Sequence, residues 1–167
     1  MKKLVILILM MLVTASNTMY AQEKKSKKDL RQEQAEKVQK KVEAQDYKFV
    51  AQRAFPMSMR SISLTPEFDL RVSNDAISAY LPYYGRVYSA PADPTEGGIK
   101  FESKDFDYRL EKAKKGGWVA HIIIKDAKRH INMVLQISTS GSASLSVNDD
   151  TRQTISFNGY IGEQKKK

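Results

Sequence analysis

The sequence contains no cysteine at all, and its 167 residues include only two histidines and one tryptophan. Without thiols there are no disulfides, no thiolate zinc site and no anchor of the kind bacterial lipoproteins use, so a domain of this size must be held by its apolar core. No apolar run approaches the roughly 20 residues that span a bilayer as a helix. The Gly-x-Ser-x-Gly turn of serine hydrolases is missing, and so is any His-x-Glu or paired-His spacing that would start a catalytic metal site. These absences remove the common enzyme classes and leave a chain to be read from its patterning.

What is present begins at the N-terminus. Met1-Lys2-Lys3 precedes an apolar run from Leu4 to Val13, and the chain then turns polar up to Ala21. A basic start, a short apolar stretch and a small residue form a secretory signal peptide. Cleavage is expected after Ala21, with Val13-Thr14-Ala15 as the second choice because Met19 is large for its position. The expectation is an exported protein, periplasmic or extracellular, with no transmembrane segment after cleavage and no lipid anchor.

The formal net charge of +9 is carried by the ends of the chain. From Glu23 to Lys48 there are nine Lys or Arg against six acids, and Lys165-Lys166-Lys167 closes the sequence. Between Phe49 and Gln164 fourteen basic residues meet thirteen acidic ones. A DNA-binding domain would carry its cationic face on the folded part, so no nucleic-acid partner is expected.

Ser26 and Asp29 have the spacing of a capping box, and Lys27 to about Gln45 contains no Gly, Pro or aromatic residue, which predicts a helix. Ala35, Val38 and Val42 form its narrow apolar stripe. From Tyr47 onward the apolar period is two. Tyr47, Phe49, Ala51 and Phe55 alternate with polar neighbours up to Pro56. Ile131, Met133, Leu135 and Ile137 alternate with Asn132, Gln136 and Ser138, and Ala143, Leu145 and Val147 with serines. Ile155, Phe157 and Ile161 do likewise. Further strands are expected at Phe68–Val72, Ala76–Leu81, Gly85–Ser89, Ile99–Phe101, Tyr108–Lys112 and Trp118–Lys125, with turns at Lys115-Gly116-Gly117, Ser140-Gly141 and Asn148-Asp149-Asp150.

The fold class is therefore mainly β (α+β): an antiparallel barrel or two-layer sandwich of about nine short strands with one N-terminal helix. The organisation is a signal peptide at 1–21, a charged helix or linker at 22–46, one β-rich domain at 47–162 and a basic tail at 163–167. The Pro- and Gly-punctuated stretch Ala90 to Gly98 reads as a flap.

Few residues could carry chemistry. His121 and His130 lie on consecutive strands and could approach each other across a hairpin with its turn near Ala127, but no third ligand accompanies them, so no metal and no cofactor are expected. Asp105 with Asp107 and Asp149 with Asp150 read as solvated turn acids. The densest unusual patch is Tyr80-Leu81-Pro82-Tyr83-Tyr84-Gly85-Arg86-Val87-Tyr88. Tyr80, Tyr83, Tyr84 and Tyr88 around Arg86 could form a wall that stacks a sugar or clamps an anion. The competing expectation is structural, with Arg86 paired to Asp69 or Asp75.

Leu81-Pro82-Tyr83-Tyr84-Gly85-Arg86-Val87-Tyr88, with Gly97-Gly98-Ile99-x-Phe101, Arg53-x-x-Pro56, Gly141-x-Ala143-x-Leu145-x-Val147 and Arg152-x-x-Ile155-x-Phe157-x-Gly159-x-Ile161, resembles domain of unknown function 4251. Its members are small exported proteins of Bacteroidetes-type bacteria. The resemblance covers about Tyr47 to Ile161, with Tyr84 where Phe is expected. It implies export and a single domain, and brings no activity or ligand. The sequence thus favours a non-catalytic binding module for a small molecule or a cell-envelope component. The alternative is a hydrolase of an envelope substrate using Asp75, Asp105 or Asp107.

Overall fold

The computed structural model describes residues 26–88, 97–114, 116–127 and 130–164. The leader at 1–21 and the Lys165–Lys167 tail lie outside them, as do residues 90–96 of the expected flap. The chain divides into two units, Met1–Leu30 and Arg31–Lys167. Of the first, only Ser26 to Leu30 is described, and it opens helix α1 (Lys27–Glu43). The capping box forms as expected: the Ser26 N–H donates to Asp29 Oδ2 at 3.2 Å, and the Lys28 N–H donates to Ser26 Oγ at 3.3 Å. Two N–H groups that the first turn leaves without helical partners are satisfied this way.

In the second unit, α1 buries Val38 and Val42, the stripe the sequence offered, and Glu33 and Lys37 pair at 2.9 Å one turn apart. Gln34 Nε2 donates to the Ser140 carbonyl at 3.4 Å and Lys41 reaches Glu163 at 3.3 Å, so the helix lies against the ends of the last strands. It stops at Gln45, a non-glycine residue in the left-handed region (φ 48°).

Among the described residues ten strands follow: β1 (Tyr47–Pro56), β2 (Ile62–Ser63), β3 (Asp69–Val72), β4 (Ile77–Pro82), β5 (Gly98–Ser103), β6 (Phe106–Lys112), β7 (Trp118–Ile124), β8 (Ile131–Ile137), β9 (Ser142–Asp149) and β10 (Ile155–Gly162). Their order is β5-β4-β3-β1-β10-β9-β8-β7-β6, antiparallel throughout, with β2 pairing the far half of β1. The sheet curls into a nearly closed barrel, which decides between the barrel and the sandwich. Sequence neighbours β5 and β6 are the two ends of the ladder path, and the first strand pairs with the last.

Alternation places Ile131, Met133, Leu135 and Ile137 of β8 inside, facing Ala143, Leu145 and Val147 of β9 and Ile155 and Phe157 of β10. Tyr47 is fully buried, and its hydroxyl meets that of Tyr108, on β6, at 3.1 Å. The two strands are not ladder neighbours, so this contact bridges the interior.

Two of the expected strand features are corrected. On β1 the inward set is Tyr47, Phe49 and Ala51 followed by Ala54 and Pro56, while Phe55 faces outward. The register against β10 shifts between Ala51 and Arg53, and one extra residue at Gln52 reverses every side chain beyond it. Gly159 lies opposite this bulge, where a Cβ would run into the Val50 carbonyl, so glycine permits the close approach of β1 and β10. The strand expected at Gly85–Ser89 is replaced by an irregular segment with one antiparallel bridge, Val87 to Arg152; Ser89 lies outside the described residues.

Candidate functional site

The tyrosine-rich segment leaves the barrel wall at Pro82 and is pinned by backbone hydrogen bonds to the residues between β9 and β10. The Gln153 N–H donates to the Arg86 carbonyl at 3.0 Å, and the Tyr88 N–H to the Thr151 carbonyl at 2.8 Å. The Tyr83 hydroxyl faces two carbonyls, Arg86 at 2.8 Å and Gln153 at 2.9 Å, and its single proton ties both chains together. Burial holds the Tyr83 phenol above the ordinary tyrosine value, which keeps that proton in place. A Cβ at Gly85 would come within 2.7 Å of the Tyr83 hydroxyl oxygen, so a larger residue there would push the ring away from the two carbonyls.

This arrangement divides the expected wall. Tyr80 stands on the outer face of β4, stacked on Phe68 with ring centroids 5.5 Å apart and with Lys100 Nζ 4.9 Å from its own ring centre. Tyr83 and Tyr84 are half-buried and pack against the core. Arg86 and Tyr88 are exposed, Tyr88 at 69%. Arg86 is not held by either acid proposed for it. Asp69 is buried and engaged by Arg71 at 3.3 Å and Lys48 at 3.5 Å. Asp75 is exposed in the turn after β3, where a hydrogen bond to the Ser73 side chain lowers its carboxyl from the ordinary value.

The charge at the centre of this region is Arg152, which sequence reasoning did not single out as a site residue. It is 3% exposed, donates through Nη1 to the Gly98 carbonyl at 2.8 Å, and has its guanidinium carbon 5.1 Å from the Tyr83 ring centre. Its Nε stands 3.9 Å from Asp149 Oδ2. Asp149 was expected to be a solvated turn acid, but at 5% exposure it is buried. Its Oδ1 accepts from the Thr151 N–H at 2.9 Å and the Thr151 hydroxyl at 2.7 Å, so it shapes the turn from within. The available signal was the ordered set of segments carrying the family resemblance. Tyr83, Gly98 and Arg152 come from three of them and meet here.

The other candidates stay apart. The histidines do not come together: His121 is opposite Val134, and His130 precedes β8 four positions further along, roughly 13 Å at strand spacing. Among the described residues no group of three metal-ligating side chains assembles. Asp107 lines a groove of about 640 Å³ over β6 to β8, where it is paired with Lys125 at 2.6 Å. Asp105 is exposed in the preceding turn, where the Asp126 carboxylate accepts from the N–H groups of Lys104 and Asp105.

A nearly closed antiparallel barrel with one packed helix, cross-braced by a buried arginine, defines the class of domain. Over residues 29–161 the chain matches the family described as domain of unknown function (DUF4251), and it belongs to that family. Among solved structures it is similar to the crystal structure of a DUF4251 family protein from Bacteroides eggerthii DSM 20697, at 14% identity and a TM-score of 0.58, over 80% of this chain and 88% of that one. That likeness is one of fold. No curated protein matches the chain.

Proposed function

We propose that the protein is an exported, non-catalytic module that binds a small ligand or a cell-envelope component through the segment Tyr80 to Tyr88, in the periplasm or outside the cell, after cleavage behind Ala21. The observation that carries the reading is the contrast at Arg86. Its carbonyl accepts from the Tyr83 hydroxyl and the Gln153 N–H while the residue itself is exposed, two positions before the exposed Tyr88, and Asp69 is engaged by Arg71. An exposed cation on a pinned backbone, with an exposed ring in the same short segment, offers an anion or a stacking ligand two groups at reduced ordering cost. The Tyr83 hydroxyl braces the Arg86 carbonyl, Tyr84 packs against the core, and the leader at 1–21 supports export.

Native mass spectrometry of the protein purified from its own periplasm tests both halves. A mature chain starting at Gln22 with an additional bound mass is expected. The Arg86→Ala protein should lose that mass and melt at the wild-type temperature, because an exposed guanidinium contributes little to folding. A membrane-bound species starting at Met1, or an Arg86→Ala protein that no longer folds, would refute the reading.

A further inference from the structure

We propose that the rim formed by the turn after β1 and the Arg86 to Tyr88 segment docks onto an anionic lipid surface; this rests on the reading of Arg86 and Tyr88 as a binding face. The two segments are neighbours through Gln153. Ser58 Oγ donates to Gln153 Oε1 at 3.0 Å, and Gln153 donates from its backbone to Arg86. Of the nine large apolar side chains exposed among the described residues, four are in these two segments, Met57, Met59, Val87 and Tyr88, and a fifth, Phe55, faces outward at the end of β1 that leads into the turn. Met57 and Met59, exposed at 71% and 54%, occupy the tip of the turn. Such a cluster is far from the scattered single exposures that every surface shows.

Charge selects the occupant. Phe49 to Pro66 and Ala76 to Tyr88 contain no Asp or Glu, and their only charged residues are Arg53, Arg60 and Arg86, all exposed. In the connection between β9 and β10 that holds the Arg86 segment, the acids are Asp149, buried beside Arg152, and Asp150, which is exposed. Flexible thioethers at a turn tip, a tyrosine beside them and arginines around them match the two layers of an anionic membrane. The apolar tips reach the acyl boundary, the phenol sits at headgroup level and the guanidinium groups meet phosphate. A small soluble anion would satisfy the arginines and leave Met57 and Met59 in water.

The experiment uses the mature chain from Gln22 with vesicles of phosphatidylcholine, alone or mixed with phosphatidylglycerol. Sedimentation with the mixed vesicles only is expected, weakening as salt rises. In a Met57→Trp protein the added indole should shift to the blue on those vesicles, because the one native tryptophan, Trp118, is already buried. Removing two cations in Arg60→Ala with Arg86→Ala should lower the vesicle partition coefficient about thirtyfold. Met57→Asp with Met59→Asp should abolish the indole-independent sedimentation at unchanged melting temperature. Vesicle binding that survives the methionine changes belongs to the lysine-rich ends and overturns the inference, as does an unshifted indole. If vesicles fail while Arg86→Ala still removes a bound small molecule, the lipid assignment falls and the binding face stands.

Discussion

Truncating Arg152 to alanine removes a charge-assisted hydrogen bond to Gly98, a cation over the Tyr83 ring and the partner of a buried carboxylate. A buried hydrogen bond to a charged group is worth about 1.5 to 3 kcal/mol, and a desolvated cation over an aromatic ring adds about 1 to 2. The ion pair, at 3.9 Å, contributes least by direct contact, yet Asp149 stays in the interior when the guanidinium leaves. The combined loss is about 3 to 5 kcal/mol, the cost typical of breaking a buried pair from one side. For a domain of this size that corresponds to a fall in Tm of roughly 6 to 20 °C. Urea unfolding of Arg152→Ala beside Arg86→Ala is the assay, since both arginines flank the same crossing of chains and differ in burial. Arg86→Ala should stay within about 0.5 kcal/mol of wild type. Asp149→Asn combined with Arg152→Ala should cost less than the two single changes added together, because the groups act on each other. An Arg152→Ala protein within about 1 kcal/mol of wild type, or strict additivity with Asp149→Asn, would refute the reasoning.

Two more outcomes follow from the interior. Leu135 is fully buried on β8, and Leu135→Ala should cost about 2 to 5 kcal/mol; a urea midpoint that does not move would mean the face is assigned wrongly. Burial, reinforced by the adjoining Tyr108, holds the Tyr47 phenol well above the ordinary tyrosine value, and burial also raises Tyr108. Their stabilisation is therefore intact below a pH of about 10, where the unfolded tyrosines begin to ionise, and is lost as pH rises from there through the raised folded values. Tyr47→Phe should flatten that alkaline decline, read as unfolding free energy against pH, and an unchanged slope would count against the buried pair.

The strands that were legible in the sequence are those with one wet and one dry face over an unbroken ladder. On β8, β9 and β10 the apolar residues at every second position are inside, with Ile161 half-buried against the core, since period two and burial say the same thing there. On β1 the pattern misplaced Phe55, because an extra residue at Gln52 changes the phase and nothing local in the side chains marks it. Gly85 to Tyr88 has strand-forming side chains, yet its partner is the short connection at Thr151 to Gln153, a pairing between distant segments that periodicity cannot express. The histidines are a matter of arithmetic. A turn near Ala127 makes Val134 the partner of His121, so proximity on consecutive strands did not amount to contact. Asp149 was misread for a related reason: turn composition suggests solvent, whereas the buried Arg152 three residues later draws the carboxylate inward.

The pairing of β1 with β10 has a consequence for how the chain reaches its native state. β6 to β10 are joined by consecutive short turns, so each hairpin can zip onto the last with little loop entropy to overcome. β1 forms its longest ladder with residues about a hundred positions away. Until Ile155 to Gly162 is available, the apolar edge from Tyr47 to Ala54 has no mate on that side and is open to pairing with another copy. Arg53, exposed on that edge, makes it a poorer template for a second chain.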